Sequence, residues 1–135
     1  MKMVFLDTSF VISYLNKRDK NHIKSREVMN KIISGNYGNL CISDYVFSEC
    51  ASVLFRLSRN IKKTEILCNR LKEDLIFYTD KETFEETFKI FVKQKGTSFS
   101  FVDCSIITLM RINNIKYLAT FDKDFDKIDE IKVLN

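Results

Sequence analysis

Five short apolar runs alternate with longer segments of helical hydrophobic spacing, and that order admits few folds. The runs are KMVFL (2–6), NLCI (39–42), LIFYT (75–79), IKYLA (115–119) and IKVL (131–134). Each is too short for a buried helix and suits a strand covered on both faces. Between them, the segment from His22 carries Ile23, Val28, Met29, Ile32 and Ile33, with Gly35 as a stop. The segment from Ser43 carries Val46, Phe47, Cys50, Val53, Leu54 and Leu57 on one helical face. The stretches 64–74, 80–96 and 100–114 read as further helices, the second with acids early and lysines late, as the helix dipole favours. Strands alternating with helices predict βαβ units and a mainly parallel sheet of about five strands, an α/β fold. With 135 residues, three glycines and no proline, a single domain over residues 1–135 without long linkers is expected.

Several function classes drop out. MKMVFLD is too short and too soon acidic for a signal-peptide core, and FVISYL is too short to span a bilayer, so cytoplasm is the default. Cys41, Cys50, Cys68 and Cys104 are widely spaced, with no CxxC pair and only His22 beside them. That pattern argues against a zinc site or disulfide framework and for buried free thiols. Basic clusters at 16–26, 56–63 and 92–96, within a net charge of +4, fit a polyanion partner or simply solvated helix faces.

The acids are more informative. Asp7 follows the first strand directly and Asp122 stands three residues beyond the fourth. In an open α/β sheet, ligands bind beyond the carboxyl ends of the strands, so both acids fall at one edge. Glu49 lies on the flank of an apolar stripe, and Asp103 shares a helix face with Phe99, Ile106, Ile107 and Met110. A carboxylate in such a place is partly desolvated and needs a partner, yet no cation stands one turn away. Each acid also has an ordinary reading: Asp7 and Asp122 as caps, Asp103 in a capping box with Ser100, Glu49 as a boundary residue. If the four converge, their mutual repulsion calls for cations, and all-oxygen ligands without histidine or cysteine favour Mg²⁺ or Mn²⁺. Such a site suits hydrolysis of a nucleic-acid backbone. The acid-rich stretch 122–130 is not an EF-hand, since Lys127 and Val133 occupy the positions that need glycine and glutamate.

The blocks VFLDTSFVISYL, ISDYVFSECASVLFRL, SFSFVDCSIITLM and YLATFDKDFDKI, in that order and spacing, resemble those of PIN-domain ribonucleases, above all the VapC-type toxins of prokaryotic toxin–antitoxin pairs. The resemblance implies a Rossmann-like three-layer α/β/α sandwich and a Mg²⁺- or Mn²⁺-dependent endoribonuclease. It maps the family's four acids onto Asp7, Glu49, Asp103 and Asp122, its threonine onto Thr120 and a frequent further acid onto Asp124. Ser9 and Thr120 are then supporting residues around the carboxylates. The resemblance also implies an RNA substrate, an antitoxin partner and a homodimer. An RNA-processing nuclease outside such a pair, or a non-catalytic RNA-binding module, is the alternative. A phospho-acceptor role for Asp7 fits poorly, because Ser9 replaces the second aspartate of the haloacid-dehalogenase pattern and the acidic pair of receivers is missing. His22 is read as structural.

Overall fold

The computed structural model describes residues 2–135. The five apolar runs form strands β1 (Met3–Leu6), β2 (Asn39–Ser43), β3 (Leu75–Phe77), β4 (Tyr117–Ala119) and β5 (Lys132–Leu134). All pair in parallel, in the order β3-β2-β1-β4-β5. Successive residues Val4 and Phe5, Cys41 and Ile42, and Leu118 and Ala119 are all fully buried. Since neighbouring side chains point to opposite faces, the sheet is covered on both sides.

The cover comes from α1 (Thr8–Leu15), α2 (His22–Ser34), α3 (Asp44–Ser58), α4 (Ile61–Leu71), α5 (Lys81–Lys93) and α6 (Phe101–Ile112). Helix α1 packs on α2 and α3, α3 on α4, and α5 on α6. The β1-to-β2-to-β3 connections run across the sheet in one direction, and the β3-to-β4 connection returns in the other. Right-handed crossovers therefore put α1–α4 on one face and α5–α6 on the opposite one, giving the expected α/β/α sandwich. A 3₁₀ turn (Lys123–Lys127) connects β4 to β5.

Local chemistry sets the helix starts. Ser43, Asn60, Asp80 and Ser100 each accept an N–H from the first turn of their helix. Ser100 and Asp103 form the reciprocal capping box anticipated from SFVD. Gly38 takes φ +93° where the chain passes the Lys2 carbonyl on its way into β2, and a Cβ there would stand 1.9 Å from that oxygen.

Three apolar residues depart from expectation. Ile23 and Ile33 on α2 are exposed, because the buried face follows Ser25, Val28, Met29 and Ile32, and both lie a quarter-turn or more off it. Leu57 is exposed because the buried stripe of α3, Val46, Cys50 and Leu54, ends one turn earlier. The four cysteines are free thiols, and burial pushes Cys41 and Cys50 up to about 12, so they stay protonated. His22 holds the α1–α2 connection, its Nδ1 2.8 Å from the Ser13 carbonyl oxygen.

Candidate active site

The strand order reverses between β1 and β4, since the chain leaves β1 toward β2 on one side and finds β4 on the other. In open α/β sheets such a reversal marks the ligand crevice, at the carboxyl ends of the two strands. Asp7 leaves β1 there and Thr120 leaves β4, joined at the backbone by the Asp7 N–H donating to the Ala119 carbonyl at 3.0 Å.

Asp7 caps α1 and lines the crevice at once. Its Oδ1 accepts from the Thr8 N–H at 2.7 Å, while Oδ2 accepts from the hydroxyls of Thr120 (2.6 Å) and Ser9 (3.1 Å). The two residues expected to support the carboxylates therefore both bond Asp7. Burial to 4% exposure pushes its carboxyl up to about 6, and the nearby Asp103 charge adds to the rise against the lowering by these hydrogen bonds. Thr120 also accepts from the Asp122 N–H at 3.0 Å, so one hydroxyl holds the first acid and the backbone of the last.

The remaining acids arrive on separate elements. Glu49, half-buried on α3, accepts from the Thr8 hydroxyl at 2.6 Å. Asp103, half-buried in the first turn of α6, accepts the Ser100 N–H at 2.9 Å. Its carboxyl is raised chiefly by burial, with the charges of Asp122 and Glu49 contributing. Asp122 caps the 3₁₀ turn, accepting from the Asp124 N–H at 2.9 Å. The four acids thus share one electrostatic field, although each also serves as cap or anchor. None of the three ion pairs among the described residues involves any of them.

Asp124 is differently engaged. Its oxygens accept from the Ser98 N–H and from Lys127, and these bonds hold its carboxyl below the ordinary range. Asp126, Asp129 and Glu130 are exposed, and Glu130 pairs with Arg111. Thr8 is a supporting residue that the sequence alone does not single out. Its position after Asp7 hints at a role, but its partner Glu49 is supplied by the packing of α1 on α3, which local sequence does not reveal.

No three His, Cys, Asp or Glu side chains among the described residues stand close enough to grip a metal ion directly. The donor set still suits Mg²⁺ or Mn²⁺. It is entirely hard oxygen, it lacks a compensating cation, and Mg²⁺ keeps several waters and needs only one or two carboxylates.

A separate cavity lies away from these acids. An open groove of about 900 Å³ has a floor of leucines from α1, α3 and α4 and a rim bearing Lys17, Arg18, Arg26, Lys63 and Arg70. Two of the basic clusters converge on it, and no acid lines it. It is thus apolar and basic, whereas the carboxylates gather at the β1/β4 edge.

Residues 4–131 match the PIN domain family model. No match was found among curated protein sequences. Among solved structures, the chain resembles VapC20 of Mycobacterium tuberculosis, a sarcin-ricin loop cleaving toxin, with TM-score 0.82 and 20% identity over 98% of this chain and 99% of that one. It also resembles VapBC2 of Rickettsia felis bound to a promoter DNA fragment, with TM-score 0.71 and 18% identity over 98% of both chains. FitAcB of Neisseria gonorrhoeae aligns with TM-score 0.70 and 20% identity, covering 98% of this chain and 97% of that one. At such identities the structural likeness speaks for the fold, and the sequence model carries the family assignment. With a five-stranded parallel sheet, six helices and a family match spanning almost its whole length, the chain belongs to the PIN domain family.

Proposed function

We propose that the chain is a Mg²⁺- or Mn²⁺-dependent endoribonuclease and the toxin of a type II toxin–antitoxin pair. The observation that carries this reading is the buried Asp7 at the β1/β4 crevice, beside the charge of Asp103, which in turn feels Asp122 and Glu49, with no lysine or arginine in the ion pairs of the described residues joined to any of the four. Asp7, Asp103 and Asp122 would hold the ion directly or through water, and Glu49 would ligate it or orient the attacking water. When bound, the ion supplies a more acidic water and neutralises charge on the phosphodiester. Thr120 and Ser9 keep Asp7 oriented, and Thr8 keeps Glu49 against α1. By analogy with the family, cleavage leaves a 5′ phosphate and a 3′ hydroxyl.

The toxin reading draws support from the related solved structures, among them a toxin–antitoxin complex of Klebsiella pneumoniae. An acidic segment with apolar side chains would suit the leucine-floored, basic-rimmed groove as the antitoxin's contribution. Phe84, Phe88 and Phe91 lie exposed along one stripe of α5 and favour a homodimer. A cytoplasmic setting agrees with the free thiols, and no helix among the described residues is long and apolar enough to cross a membrane.

The test is incubation of total RNA with the purified chain in Mg²⁺ or in chelator, followed by sequencing of the new 5′ ends. Discrete 5′-phosphate ends that need the metal are expected. RNA binding without cleavage under any metal would contradict the enzyme reading and favour a binding module. Growth arrest on expression, relieved by the product of an adjacent short gene, is expected for the toxin, and unimpaired growth would argue against it.

A further inference from the structure

We propose that the Lys127–Asp124 pair is a positioning latch that sets Asp103 against Asp122 by tying the α5–α6 loop to the 3₁₀ turn. The inference rests on the nuclease reading and assigns Asp124 a role other than metal ligand. Lys127 Nζ donates to the Gly96 carbonyl at 2.7 Å and to Asp124 Oδ1 at 3.1 Å. The second oxygen of Asp124 accepts from the Ser98 N–H at 3.0 Å. One oxygen is therefore turned toward the loop and the other toward Lys127, which itself reaches the loop from the 3₁₀ turn. Meanwhile the Asp124 backbone N–H donates to Asp122 Oδ1 at 2.9 Å. One residue thus grips the last acid with its main chain and the loop with its side chain.

That loop leads directly to Ser100, which is locked to Asp103 by the capping box. Any shift of the loop along the 3₁₀ turn is carried to Asp103 within a few residues. Below the latch, the Phe99 and Phe125 rings pack with centroids 4.8 Å apart. An apolar contact sets separation but is non-directional, so the register is left to the polar bonds above it. Gly96 takes φ +72° where its carbonyl meets the lysine, a left-handed conformation that suits glycine. Gln94 braces the loop from the other side, accepting from the Phe99 N–H and donating to the Phe99 carbonyl. The pair is partly exposed, with 56% of the Lys127 side chain and 28% of the Asp124 side chain open to solvent. Such a pair adds little to folding stability, so its effect falls on the geometry of the site.

Three variants test this: Lys127→Met, Lys127→Arg and Asp124→Ala. The readouts are Mn²⁺ titration by electron paramagnetic resonance, steady-state cleavage of an RNA oligonucleotide, and amide exchange at Ser98. Loss of the latch in Lys127→Met is expected to lower kcat on the order of 10-fold with KM for RNA unchanged, the scale seen for groups that orient metal ligands. Mn²⁺ affinity should fall several-fold, Ser98 should exchange faster, and Lys127→Arg should recover most of each loss. If KM rises while kcat holds, Lys127 contacts RNA directly and the latch is overturned. If Asp124→Ala abolishes Mn²⁺ binding that Lys127→Met retains, Asp124 is a ligand and the latch is again overturned. An active wild type matched in all readouts by Lys127→Met overturns the latch alone. A wild type that neither binds Mn²⁺ nor cleaves RNA overturns the nuclease reading, and the latch's role with it.

Discussion

Replacing Asp7 with asparagine should abolish cleavage and yet stabilise the metal-free protein at neutral pH. The folded chain keeps the Asp7 proton up to about pH 6, against an ordinary 3.8, because the carboxyl is buried and faces Asp103. Unfolding releases that proton as pH rises between those two values, so wild-type stability falls through this window and levels off above it. The loss reaches about 3 kcal/mol at pH 7. Asparagine imitates the protonated form without the titration. Its oxygen can keep the Thr8 N–H, and the Thr120 and Ser9 hydroxyls can turn to accept from its amide. Urea unfolding in chelator from pH 4 to 7.5 isolates the effect, since groups common to both proteins largely cancel. Asp7→Asn should gain roughly 2 kcal/mol on wild type across that range. Adding metal at a hundredfold excess over its Kd should then return about 2.7 kcal/mol to wild type and much less to the variant. If the two proteins keep a constant difference from pH 4 to 7.5, Asp7 is not a strained buried acid and the electrostatic account of the crevice fails.

Thr120→Val removes the shortest hydrogen bond to Asp7, which lowers its pKa, so the acid limb of the pH–rate profile should move upward. Stability should fall by about 1–3 kcal/mol at pH 7, measured by urea unfolding. Ser100→Ala breaks the capping box under Asp103 and should cost about 1 kcal/mol, with a larger proportional fall in kcat as the first turn of α6 frays. Gly38→Ala places a Cβ against the Lys2 carbonyl at φ +93° and should lower Tm at a cost on the order of 1–3 kcal/mol, leaving metal affinity in the surviving folded protein unchanged.

Much of this architecture was legible in the residues. The five apolar runs are short, buried on both faces and bounded by polar residues, so their alternation with amphipathic helices already specifies a parallel sheet. Asp7 and Asp122 could be placed at one edge because strand ends are readable, and that edge is where they stand. The capping box at Ser100 is a local signal and appears as read. Contacts created by packing were not legible. Thr8 and Glu49 meet only because α1 lies on α3, and nothing within four residues of either announces the other. Periodicity likewise could not tell that Leu57 lies beyond the buried stripe, since that depends on where α3 runs out of partners. Two of the three basic clusters could not be assigned to one groove until α1, α2 and α4 were brought together.

The central claim is that Asp7, Glu49, Asp103 and Asp122 form one divalent-metal site. Mn²⁺ binding followed by electron paramagnetic resonance tests it without reference to any RNA. Wild type is expected to show saturable binding, and Asp7→Asn and Asp103→Asn are each expected to weaken it at least about tenfold. Wild-type affinity retained in both variants would contradict the claim.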